Sequence, residues 1–163
     1  MNELTTREVI EGIFADAATG NLERVLRWWA DEGTLEDVTI ARAFVGKDQI
    51  RDYLRWYFAA LPDVRYQPIR LVIDGPTAVV EWQQTARVVG EFDGVGASGV
   101  EMNFHAIDMF HIEDGRVLHE VSWYGDGWFR QRLEGKSRPD IPPPLAVTPP
   151  VRSDGQRFES SRP

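Results

Sequence analysis

The hydrophobic period of this chain changes once, and that change fixes the class of fold. Up to Leu61 the apolar residues recur at three- and four-residue spacing, the signature of helices packed by one face. From Arg65 to Tyr124 they alternate with polar residues at a spacing of two, the signature of strands. Helices first and strands afterwards predict an α+β fold: a curved antiparallel sheet wrapped around N-terminal helices, a cone-shaped α+β barrel. Such a sheet leaves a conical cavity in which a small ligand sits.

The helical half is well punctuated. Thr5 and Glu8 stand at capping-box spacing before the stripe Val9, Ile10, Ile13, Phe14 and Ala17. Gly20-Asn21 ends that helix and caps a second, whose stripe is Leu22, Val25, Leu26 and Trp29. A short strand is predicted over 34–39. A longer helix then carries Ile50, Tyr53, Leu54, Tyr57, Phe58 and Leu61 and is stopped by Pro62. Strands are predicted near 65–73, 77–90, 100–112 and 116–124, followed by a short closing helix from Gly127 to Leu133. Asp114-Gly115 is a two-residue hairpin turn, and Asp74-Gly75-Pro76 joins the first two long strands. The glycine-rich DGVGASG (93–99) lacks the spacing and the Lys-Ser/Thr ending of a phosphate loop and reads as a hairpin loop. Residues 136–163 hold seven of the ten prolines, so the domain is expected over 1–135 with an extended or disordered tail behind it.

Charge and composition remove several functions. With 26 acidic against 18 basic residues, the chain suits neither a nucleic-acid backbone nor an anionic membrane surface. It has no cysteine, which excludes thiol catalysis, disulfides and Cys-ligated metals. The start, MNELTTREVIEG, lacks the apolar core of a signal peptide, and no apolar run approaches the ~20 residues of a membrane span, so a cytoplasmic location is expected. His105 and His111 lie roughly 20 Å apart along one strand, too far to share an ion, and no metal is expected. No Gly-x-Ser-x-Gly elbow occurs. Acid–base chemistry by carboxylates remains.

Alternation sorts the candidates. Phe104, Ala106, Asp108, Phe110 and Ile112 share one face, and His105, Ile107, Met109 and His111 the other. An aspartate flanked at two-residue spacing by Ala and Phe is the anomaly, because an isolated charge on an apolar face is costly. Either Asp108 sits in an apolar pocket that raises its pKa, or it meets an arginine or water. Asp37 shares the parity of Leu35, and Glu120 shares that of Ser122 and Tyr124. Trp82, Gln84, Ala86 and Val88 form an apolar wall with one amide. The expected pocket lining is Phe14, Tyr57, Trp82, Gln84, Phe104, Phe110, Glu120, Ser122 and Tyr124. The apolar outer set Ile107 and Met109, between two histidines, suggests a homodimer through that face.

Two segments, WADEGTLEDV (29–38) and AIDMFHI (106–112) followed by EDGRV, together with the element order over roughly 5–133, resemble the nuclear-transport-factor-like cone superfamily. That superfamily contains ketosteroid isomerases, SnoaL-type polyketide cyclases, limonene epoxide hydrolase and scytalone dehydratase. The segment at 29–38 is similar to the isomerase segment bearing the general-base aspartate, which implies that role for Asp37. The segment at 106–112 is similar to the strand bearing a protonated aspartic acid, or the cyclases' catalytic aspartate, which implies it for Asp108. Ile13 stands where the isomerases carry a tyrosine, about Val88 where the cyclases carry a histidine, and Trp82 and Gln84 where the epoxide hydrolase carries its Arg and Asp. The resemblance implies a cofactor-free acid/base enzyme on a small apolar carbonyl compound, an isomerase, dehydratase or cyclase, with Asp37 and Asp108 catalytic. The alternative is a non-catalytic ligand-binding or dimerisation module of the same fold, and a condensation role like that of phenazine biosynthesis stands third.

Overall fold

The computed structural model describes residues 4–92, 95–96 and 99–125. The closing helix expected at 127–133 and the tail from 136 lie outside the described residues.

Helix α1 (Thr6–Ala17) begins at the capping box as expected. The Thr5 hydroxyl accepts from the Glu8 amide, while the Glu8 carboxylate accepts from the Thr5 amide at 2.8 Å. Its inner face buries Val9, Ile10 and Ile13. Gly12 is required by close approach: a Cβ there would fall 2.1 Å from the ring of Trp28. Helix α2 (Leu22–Leu26) is capped by Asn21, whose side chain accepts from the Arg24 amide at 3.2 Å. Helix α3 (Lys47–Ala60) follows two strands, buries Ile50, Tyr57 and Ala60, and ends just before Leu61-Pro62.

The strands are β1 (Trp29–Asp37), β2 (Arg42–Val45), β3 (Arg65–Asp74), β4 (Thr77–Arg87), β5 (Glu91–Phe92), β6 (Val95–Gly96), β7 (Glu101–Glu113) and β8 (Arg116–Tyr124). Six of them form one open, curved sheet in the order β2-β1-β8-β7-β4-β3. Strands β5 and β6 make a separate ribbon between β4 and β7, where a plain loop is expected from the sequence. The β7–β8 hairpin turns at Asp114 and Gly115, both with positive φ (49° and 70°), the geometry of a tight primed turn.

Four details differ from the sequence reading. Strand β1 starts five residues early, at Trp29, which pairs with Val117 of β8 across an irregularity before the register resumes at Thr34. A side chain at Gly33 would crowd the carbonyls of Ala30 and Val117 at 3.0 Å. Strand β4 ends at Arg87, short of 90, although the Val88 amide still donates to the Val100 carbonyl at 2.9 Å. The pairing of β1 with β8 is parallel, in an otherwise antiparallel sheet, because α3 and three long strands intervene in the chain between them. A bulge between His111 and Ile112 skips Leu118 and turns Val117 inward to complete burial, where simple alternation places it outward.

The core lies between the three helices and the concave face of the sheet, around Trp29, Leu26, Ile50, Leu61, Val80 and Phe110. No helix among the described residues is long and apolar enough to cross a membrane.

Candidate active site

Three carboxyl groups are carried to one place by the sheet register. Asp37 on β1 pairs with Ser122 on β8, and Ser122 pairs with Asp108 on β7, so two of the carboxyls and the serine between them stand in one row across neighbouring strands. One step along, Leu35, Glu120 and Phe110 form the adjacent row on the same face. Beneath these rows lies a cavity with Asp108, Glu120 and Ser122 on one wall. Helices α1 and α3 supply the opposite wall through Ile13, Phe14, Leu54 and Phe58. All four tyrosines of the chain, Tyr53, Tyr57, Tyr66 and Tyr124, reach this cavity. None of its described lining residues is Lys, Arg or His.

Asp37 does not itself line the cavity. It is 1% exposed, and its two oxygens are held by four donors. The amides of Thr39 and Ile40 donate to Oδ1 at 3.1 and 3.2 Å, in the turn that ends β1. The hydroxyls of Tyr53 and Tyr124 donate to Oδ2 at 2.9 and 3.1 Å, and these two rings stand at the cavity wall. Burial pushes the Asp37 carboxyl up, and the hydrogen bonds from Tyr53, Ile40, Tyr124 and Thr39 pull against it.

Asp108 is 4% exposed and does line the cavity. The Ser122 hydroxyl donates to its Oδ1 at 2.6 Å, and the Trp82 side chain is a second hydrogen-bonding neighbour. Burial raises its pKa to about 7 against the pull of Ser122 and Trp82, with repulsion from Asp37 adding to the rise. Of the two readings open at the sequence, the apolar pocket is the one the fold realises. Glu120 is partly buried at the same wall. Burial, then the proximity of Asp108 and Asp37, pushes its carboxyl well above the usual range.

Other expected lining residues divide. Phe14, Tyr57, Trp82, Phe110, Ser122 and Tyr124 lie at the cavity. Gln84 lies behind it, fully buried, accepting from the Tyr57 hydroxyl and donating to the Met102 sulfur at 3.1 Å. Phe104 sits on β7, but its side chain is outside the described residues. Tyr53 and Tyr66 are the polar lining residues that sequence reasoning missed. Tyr53 had a signal, since it precedes Tyr57 by one helical turn on the same stripe. Tyr66, near the start of β3, had none, because only the tertiary fold brings that strand against Tyr57 and Phe14. The outer face carries His105, Ile107, Met109 and His111, with His111 opposite His119 across the hairpin.

Acids on the wall of a cavity ringed by aromatic side chains, inside an α+β cone, define the fold class of this chain. The SnoaL-like domain family matches residues 10–120, well over half of the chain, and the chain belongs to that family. Among solved structures it is similar to a proposed SnoaL-like polyketide cyclase from Jannaschia sp. CCS1, at 16% identity and a TM-score of 0.75 over 83% of this chain and 95% of that one. It is also similar to TsrD from Streptomyces laurentii, at 21% identity and a TM-score of 0.69 over 82% and 97%. A protein from Catenulispora acidiphila with a ketosteroid isomerase-like fold gives 15% identity and a TM-score of 0.67 over 82% and 96%. At these identities the likeness is one of fold. No curated protein matches the chain.

Proposed function

We propose that the chain is a cofactor-free acid/base enzyme that enolises a small, apolar carbonyl compound, leading to an isomerisation, dehydration or cyclisation. The observation that carries this reading is Asp108, a carboxyl facing an aromatic cavity with no cation on its described lining and a pKa raised to about 7. Such a group keeps its proton over part of the neutral range and donates it as a hydrogen bond to a carbonyl oxygen. Family membership and the proposed cyclase role of the Jannaschia relative support a cyclase- or isomerase-type activity.

In this mechanism Asp37 is the base. Tyr53 and Tyr124 separate it from the cavity, so the proton reaches it through one of their hydroxyls. That hydroxyl takes the proton α to the carbonyl as it gives its own to Oδ2. The carbon–hydrogen bond breaks, its electron pair becomes the enolate, and the negative charge moves from Asp37 to the substrate oxygen beside Asp108. Return of the proton to another carbon completes an isomerisation, departure of a leaving group a dehydration, and attack on a second carbonyl a cyclisation. The working unit is proposed to be a homodimer through the outer sheet face. There Ile107 and Trp123 oppose each other, 48% and 40% exposed, beside Met109.

The test needs no prior substrate. Small cyclic and aromatic ketones are incubated in D₂O and their α-proton exchange is followed by NMR. The wild-type protein accelerates exchange of at least one, and Asp37→Asn abolishes that while leaving ligand binding intact by thermal shift. Undiminished exchange in Asp37→Asn removes Asp37 from the mechanism. The rival, a non-catalytic pocket, is favoured by the full set of donors around Asp37 but leaves the raised Asp108 without a use.

A further inference from the structure

The proton-bearing groups on the cavity wall are nearly all committed to one another. Tyr53 and Tyr124 both donate to Asp37. Tyr66 hydrogen-bonds to Tyr57, whose own proton goes to Gln84. Ser122 donates to Asp108, and Trp82 is directed to the same carboxyl. Glu120 is the exception: it lines the cavity, and among the described residues it meets neither a hydrogen-bond donor nor a cation. Its position is set by the β7–β8 register. Asp108 opposes Ser122 and Glu120 opposes Phe110, so Glu120 stands one diagonal from Asp108 on the same face. Diagonal neighbours of this kind lie about 7–8 Å apart at the backbone, close enough for the longer Glu120 and the shorter Asp108 to reach one atom between them.

We propose that Glu120 is a second catalytic acid, donating a hydrogen bond to the same substrate oxygen as Asp108. The proposal rests on the enolisation reading and adds a residue to it. A developing oxyanion accepts more than one hydrogen bond, and a second donor adds to its stabilisation in a site that excludes water. Glu120 supplies that donor because its surroundings favour the acid form: it is desolvated, it faces two other carboxyls, and no described cation stands on the lining. Both acids keep their protons throughout, so the step moves no charge beyond that passing from Asp37 to the substrate. Asp108 and Glu120 therefore act as a two-pronged clamp, with Asp37 and its tyrosines on the Ser122 side of the same row.

The test is binding of substituted phenols of one size and graded acidity, whose phenolates mimic the enolate, to wild type, Asp108→Asn, Glu120→Gln and Glu120→Leu. Glu120→Leu is expected to weaken phenolate binding about 10- to 100-fold, the range for one hydrogen bond to a charged group, while Glu120→Gln, which keeps an N–H, stays closer to wild type. Proton NMR of the wild-type complex is expected to show two strongly deshielded resonances downfield of the amides, one lost in Asp108→Asn and the other in Glu120→Gln. The isosteric Gln variant gives this additional readout even where Leu does not fold. Wild-type affinity in Glu120→Leu, or an unchanged downfield spectrum in Glu120→Gln, overturns the role of Glu120 while a loss in Asp108→Asn leaves the enolisation reading standing. Loss in neither position overturns both.

Discussion

Replacing Asp108 with asparagine removes a proton-binding group from the cavity wall while leaving an oxygen to accept from Ser122. The consequence for stability has a definite sign. Burial raises the folded-state pKa from 3.8 to about 7, so the folded protein binds this proton more tightly than the unfolded chain does. The group's contribution is therefore most favourable below the unfolded value and is lost as pH rises from about 3.8 to about 7. At about 1.4 kcal/mol per pH unit the full loss is about 4 kcal/mol, and more than half of it, about 2–3 kcal/mol, falls between pH 5 and pH 8. Asparagine has no such term, and Glu120, relieved of a neighbouring charge, shifts the variant in the same direction. Against a typical total of about 5–15 kcal/mol, the difference is large. Urea unfolding of both proteins, followed by circular dichroism, is expected to show Asp108→Asn gaining about 2–3 kcal/mol on wild type between pH 5 and pH 8. A gap between the two that is constant within about 0.5 kcal/mol over that range would refute the placement of Asp108 in a desolvated pocket.

Two further outcomes follow from the same geometry. Tyr53→Phe or Tyr124→Phe takes one donor from Asp37, so burial prevails further and the acid limb of the exchange-rate profile moves to higher pH. Each single variant keeps one relay hydroxyl, whereas the double variant is expected to slow exchange about 10²- to 10⁴-fold; near-normal exchange in the double shows that Asp37 reaches substrate directly. Lysine at both Ile107 and Met109, which are 48% and 37% exposed on the outer face, is expected to convert a dimer to the 18.6 kDa monomer by light scattering. A wild type that already runs as a monomer excludes the pairing.

The helices and the long strands were legible because each rests on local signals. The capping box at Thr5 and Glu8, the Asp114-Gly115 turn and the stripe on α3 act over a few residues, and all appear where the pattern puts them. Asp108 stood out for the same reason, as a charge among Ala and Phe on one strand face. What alternation does not carry is which strand lies beside which. The parallel contact of β1 with β8, the bulge that turns Val117 inward, and the arrival of Tyr66 beside Tyr57 all depend on pairings across tens of residues. Gln84 shows the complementary limit: its parity pointed it inward, but inward along β4 at that depth is the core behind Tyr57, not the cavity.

Asp37 and Asp108 occupy the two ends of one row with Ser122 between them, both almost fully buried, yet they are held differently. Burial raises both, Asp108 the more strongly. They differ as well in the number of donors. The chain turns sharply after β1 and presents the Thr39 and Ile40 amides to Asp37, and two helix- and strand-borne phenols complete the set. Asp108 sits in the middle of a long strand, whose own amides are engaged in the ladder, and receives side-chain donors alone. A carboxylate at a strand end thus acquires a cradle of backbone N–H groups that one in mid-strand lacks, and those donors pull against the rise that burial causes. Asp108, with fewer donors, is the one raised to about 7, and it is the one that faces the cavity.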